Sequence, residues 1–153
     1  KKYLKKNKIF SSKISFMNWS NLKDLCDSKH VIGSHTMNHP RLIDDFPEND
    51  LIKEIVESKQ IISKKLNLNV DCFCWVGGEE YSYGRSSHIL VKKNYSFSFM
   101  TNFQVIKNTT DPYFLNRTNI ESNYDKAEFN FYMSGIMDIF YYFKRIRLKK
   151  KLR

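Results

Sequence analysis

The chain has 153 residues, 41% hydrophobic and 15% aromatic, which suits one domain with a real core and excludes a disordered polymer. No apolar run approaches the roughly 20 residues that a membrane-spanning helix needs. The net charge is +10, but 13 of the 26 basic residues fall in residues 1–13 and 144–153, while Ile14–Phe143 carries the other 13 against all 16 acids. That distribution argues against nucleic acid as a partner and leaves two basic tails, suited to solubility or to weak contact with an anionic membrane surface or glycan.

In chain order, Asn18 suits an N-cap for a helix carrying Trp19, Leu22, Leu25 and Cys26 on one side. Val31-Ile32-Gly33-Ser34 is short and β-branched and reads as a strand. Pro47, Glu48 and Asp50 open a second helix. Its apolar positions Leu51, Ile52, Ile55, Val56, Ile62 and Leu66 keep helical spacing, with Lys and Glu on the other face. Val70–Val76 predicts a strand ended by Gly77-Gly78. A helix over 86–93, a strand over 95–99 and a strand over 113–120 follow, and a helix from Lys126 to Arg147 closes the pattern. Strands alternating with helices predict an α/β fold with parallel strands. No repeat or low-complexity linker interrupts the chain, so residues 1–153 are expected to form a single, partial domain.

Cys26, Cys72 and Cys74 are odd in number, and the last two alternate along a strand, facing opposite ways. They read as free thiols of a reducing compartment rather than as a metal site. The N-x-S/T matches at Asn18, Asn94, Asn108 and Asn116 are close to chance in a chain this rich in Asn and Ser.

Ile32–Leu42 reads I-G-S-H-T-M-N-H-P-R-L. Pro40 disfavours the helical region for His39, so His35 and His39 lie at a strand end and in the turn beyond it. Ligand sites of α/β folds occur there. A turn can bring two imidazoles onto one ion, with Ser34, Thr36 and Asn38 available to orient them. Turn-capping histidines are the plain alternative, and a catalytic zinc normally takes three protein ligands.

The run W-S-N-L-K-D-L-C-D-S-K-H-V-I-G-S-H-T-M-N-H-P-R-L resembles the second motif of the polysaccharide deacetylase family, the NodB-homology domain. The similarity continues through K-K-L-N, F-C-W-V-G-G, K-N-Y-S-F-S-F-M-T-N and L-N-R-T-N-I, covering Phe16 to Ile120. It implies a distorted (β/α) barrel, here incomplete. It also implies a divalent metal, usually Zn2+, held by two histidines and an aspartate, with His35 and His39 taking the histidine places. The implied activity is hydrolysis of N-acetyl groups on sugars of a cell-surface polysaccharide. An aspartate would serve as base and a histidine as acid.

Three features depart from the family pattern. The Asp-Asp motif expected before Phe16 is absent, since residues 1–15 contain no acid and Asp44-Asp45 follows the histidines. The first residue is Lys, so the missing strands and aspartates are expected upstream of a truncated start. The Arg-Pro-Tyr-like motif is replaced by Trp75-Val76-Gly77-Gly78-Glu79-Glu80. There Trp75 could stack on a sugar or belong to the core, and Gly77 could offer an N–H to an oxyanion or only make a turn. Arg117 could stand in for the missing arginine or pair at the surface. No histidine follows His88, which is expected on a helix surface, and His30 reads as packing or capping.

Three functions from different classes are therefore compatible with the sequence. One is a metal-dependent deacetylase, a second is a glycan-binding relative without chemistry that uses Trp75, and a third is a basic interaction protein whose tails contact anionic polymer or lipid. Free cysteines suit the cytoplasm and an upstream export signal would suit the cell envelope, with no transmembrane segment in either case.

Overall fold

The computed structural model describes residues 16–78 and 80–152. The basic run 1–13, Glu79 and Arg153 lie outside the described residues. Helix α1 (Trp19–Asp27) starts at a reciprocal cap. Asn18 Oδ1 accepts the Asn21 N–H and Asn21 Oδ1 accepts the Asn18 N–H, both at 3.0 Å.

The second helix is continuous but changes winding. α2 (Glu48–Leu51) passes into a π-helical stretch, Ile52–Glu57, and then into α3 (Ser58–Leu66), which ends at left-handed Asn67. Hydroxyls support the carbonyls of the wide turn: Ser58 donates to Glu54 O (2.7 Å) and Ile55 O (3.2 Å), and Tyr95 donates to Ile55 O (2.6 Å). Leu51, Glu54, Ile55 and Ser58 are its buried residues, so one of the glutamates expected on the outer face lies on the inner one.

Strands β1 (Cys72–Cys74), β2 (Phe97–Met100) and β3 (Leu115–Asn116) form a parallel sheet in chain order, with Cys72 opposite Phe97 and Phe99 opposite Leu115. Ser34 adds a one-residue parallel bridge to Phe73; the rest of the expected Val31–Ser34 strand is unpaired, and Val31 is exposed. α4 (Arg85–Asn94) connects β1 to β2. Parallel strands that add in chain order suit the wall of a (β/α) barrel, in which each strand pairs with the next along the chain. The described sheet is an arc of such a wall.

Phe73, Trp75, Met100 and Phe114 from the sheet side meet Leu51, Ile55, Val91, Leu148 and Leu152 from the helices. Ring edges lock this centre, with Trp75 perpendicular to Phe73 (5.2 Å) and to Tyr83 (5.0 Å). The single C-terminal helix expected over 126–147 is two helices, α5 (Lys126–Met133) and α6 (Ile136–Leu152). Gly135 separates them at φ +81°, a conformation in which glycine has no Cβ to clash. Lys144–Leu152 is packed helix rather than a loose tail. Arg145 is buried, donates to Asn102 O, Phe103 O and Asp138 O, and pairs with the Asp138 carboxylate, while Leu148 and Leu152 sit in the core. Among the described residues no helix is long and apolar enough to cross a membrane.

Candidate metal-binding loop

The histidine loop springs from the end of the sheet. Ser34 is held on both sides of its peptide, its N–H donating to Cys72 O (3.0 Å) and its carbonyl accepting from Cys74 N–H (2.8 Å). His35 therefore leaves the sheet edge in a fixed direction. Its Nδ1 lies 2.7 Å from Cys74 O. A carbonyl can only accept, so Nδ1 donates to it and the neutral ring keeps its lone pair on Nε2. His39 returns to the same place, its ring 4.9 Å from that of His35 at 72° between planes. Both histidines are exposed.

The loop between them is tight. Thr36 (φ +66°) and His39 (φ +62°) are left-handed, each costing about 1–3 kcal/mol for a residue with a side chain. Pro40 does keep His39 out of the right-handed helical region, but not in an extended one. Thr36 Oγ1 accepts the His39 N–H at 3.0 Å. Glu54 accepts the N–H groups of Met37 (2.7 Å) and Asn38 (2.8 Å) and the Asn38 amide (2.6 Å). Ser34 Oγ lies 2.8 Å from Ser58 Oγ; since the Ser58 proton is directed to carbonyls, Ser34 is the donor. Thus Ser34, Thr36 and Asn38 shape the loop, whereas the ring of His35 is oriented by a backbone carbonyl.

Burial raises the Glu54 carboxyl, but its hydrogen bonds to Asn38 and Met37 outweigh that and hold it below the ordinary carboxylate value. Hydrogen bonding to Cys74 raises the His35 imidazole above its usual value, against burial and the charge of Arg117. Burial pushes the Cys74 thiol up, and His35 and Arg117 together bring it below the ordinary value. Arg117 is thus a close neighbour of the site. It is exposed, and its guanidinium donates to Asn119 Oδ1 at 2.7 Å.

Other expected site residues lie elsewhere. Trp75 is 1% exposed and its indole N–H donates to Ser98 Oγ at 3.1 Å; it is a core residue and presents no face to a sugar. Gly77 and Gly78 turn with φ +80° and +70°, and Gly78 O accepts from Tyr83 Oη and from Thr101 N–H. A Cβ at Gly78 would fall onto the Thr101 side chain. Gly78→Ala is therefore expected to cost about 2–4 kcal/mol in urea unfolding, from positive φ and overpacking together. Adding Thr101→Ala should recover only some of the packing part, because the Thr101 Cβ itself would lie 2.6 Å from the added methyl.

Asp44 accepts the Arg85 N–H (2.8 Å) and pairs with Lys151 (2.9 Å). It caps α4 and stands apart from the histidines. His88, expected at a helix surface, is 3% exposed. His30 is exposed.

A divalent ion fits this loop only in part. Two imidazole rings lie 4.9 Å apart and the His35 tautomer keeps a lone pair on Nε2, but no third His, Cys, Asp or Glu joins them among the described residues.

The Streptococcus pyogenes deacetylase PplD in complex with acetate superimposes with a TM-score of 0.65 at 21% identity, over 80% of this chain and 53% of that one. A polysaccharide deacetylase from Bacillus cereus gives 0.64 at 19%, over 80% and 38%. A de-N-acetylase from Aggregatibacter actinomycetemcomitans gives 0.61 at 15%, over 81% and 58%. These likenesses establish the fold, an incomplete α/β barrel, and the chain spans about half or less of the first two structures. Among curated proteins none matches. The family model for polysaccharide deacetylase matches residues 3–95. That match covers more than half of the chain and runs through the histidine loop, so the protein belongs to the polysaccharide deacetylase family.

Proposed function

We propose that the chain is part of a metal-dependent deacetylase that removes N-acetyl groups from sugars of a cell-surface polysaccharide, with His35 and His39 as ligands of a divalent cation, Zn2+ by preference. The observation that carries this reading is the His35 ring, whose Nδ1–H is held by Cys74 O (2.7 Å) with the His39 ring 4.9 Å away. An imidazole fixed through one nitrogen by a backbone carbonyl presents the other to a metal in a defined direction. When bound, such a cation supplies Lewis acidity toward an amide carbonyl.

The chain's own contribution is to hold both rings at a sheet end and to set Arg117 beside them as a positive charge for an anionic partner. The remaining ligand and the base are not among the described residues near the loop. The glycan-binding alternative loses its aromatic platform, because Trp75 is in the core.

The test begins with metal. The chain, equilibrated with Zn2+ and desalted, is expected to retain one ion, read by elemental analysis, and to release acetate from N-acetylated oligosaccharides when the complete site is supplied. Retention no higher than in a His35→Ala/His39→Ala double variant would refute the reading.

A further inference from the structure

We propose that Glu54 is the positioning residue of the histidine loop: its carboxylate holds residues 37 and 38 so that His35 and His39 converge on one cation. This rests on the metal-binding reading above and names the group that makes it possible.

Glu54 is 4% exposed and sits between Leu51, Ile55 and Ser58 on the buried side of its helix. A carboxylate is expensive at such a position unless its oxygens are hydrogen-bonded. Here one oxygen takes the Met37 and Asn38 N–H groups and the other takes the Asn38 side chain. The segment so held lies between the two left-handed residues, Thr36 and His39. Left-handed conformations persist at side-chain-bearing residues only where the surroundings over-determine them. Three bonds to one ionised group supply that constraint.

Glu54 is also clamped from behind. Its carbonyl accepts from Ser58 Oγ, which accepts in turn from Ser34, the residue before His35. The π-helical stretch that carries Glu54 is thus tied to the sheet end that launches His35 and to the loop that returns His39. Such insertions occur often at functional sites.

The experiment titrates Co2+ and Zn2+ into metal-free wild type, Glu54→Gln, Glu54→Ala and Val91→Ala, following Co2+ visible absorption, with circular dichroism and urea unfolding on each. Val91→Ala is a core truncation on α4 that serves as the control for stability alone. Glu54→Ala is expected to weaken both ions about 10–100-fold and to shift the Co2+ bands. Glu54→Gln keeps the volume and one acceptor and is expected to lose about tenfold; it carries the test if the alanine variant does not fold. Val91→Ala should keep wild-type affinity and bands.

Folded Glu54 variants with wild-type affinity and spectrum would overturn the proposal, as would a Val91→Ala protein losing affinity equally. Wild type that binds neither ion while folded would instead bring down the metal reading itself, and this inference with it.

Discussion

His35→Ala should abolish stoichiometric Zn2+ binding while leaving the fold intact. The ring is exposed, so its removal opens no cavity and uncovers the Cys74 carbonyl to water. Surface substitutions of this sort usually move stability by no more than about 0.5 kcal/mol, and the lost hydrogen bond adds at most about 1 kcal/mol. Metal affinity should fall far more. Removing only a hydrogen-bond partner behind a ligand costs roughly 10–100-fold, and on the proposed reading a ligand itself is lost from a pair. His30→Ala is the matched control, since His30 is exposed outside the loop and should keep its ion. Elemental analysis with urea unfolding separates the two effects. A folded His35→Ala protein that retains one zinc would remove His35 from the site.

Features that depend on neighbours in the chain were legible in the sequence. Asn18 caps α1 and Pro47 precedes Glu48 at the start of α2, because a cap or a fixed φ acts within one turn. Parallel strands followed from their alternation with helices, and the histidine loop was readable as a motif at a strand end. Trp75 and His88 were not legible. Each lies on an element whose two faces carry similar residues, and only the packing of α4 and α6 against the sheet decides which face is inside. The break before α6 depends on one glycine at positive φ within an otherwise uninterrupted aromatic pattern.

Glu54 is the most informative miss. Apolar spacing over Leu51, Ile55 and Ile62 placed acids on the outer face by default, yet position 54 lies three residues after Leu51 and belongs inside. An acid on the apolar stripe of an amphipathic helix was therefore the available signal. Its partners, Met37 and Asn38, are 17 and 16 residues away, beyond any local pattern. The sequence pointed to His35 and His39 as candidate ligands, whereas the contacts of Glu54 with their loop became visible only when the helix was packed against it.

Metal-free protein should lose roughly 2 kcal/mol of stability between pH 7 and pH 5, and His88 is the cause. Its ring packs against Phe114 (5.1 Å), Trp75 (6.3 Å) and Tyr113 (6.5 Å), and among the described residues its Nδ1 has no hydrogen-bond partner. Burial, then the charge of Lys92, lower its pKa from 6.5 to about 4, against a smaller opposing effect of Asp111. The folded value lies below the unfolded one, so as pH falls through 6.5 the unfolded chain takes up a proton that the native ring refuses. Stability drops until about pH 4, where the native ring also titrates. Glu54, held below the ordinary carboxylate value, contributes the same sign only at lower pH, outside this window. His35, raised by Cys74, contributes the opposite sign, weakly because it is exposed. His88→Leu, which places an apolar group among those rings, should flatten the profile between pH 7 and 5 in urea unfolding. Equal losses in wild type and His88→Leu would show that the acid sensitivity arises elsewhere.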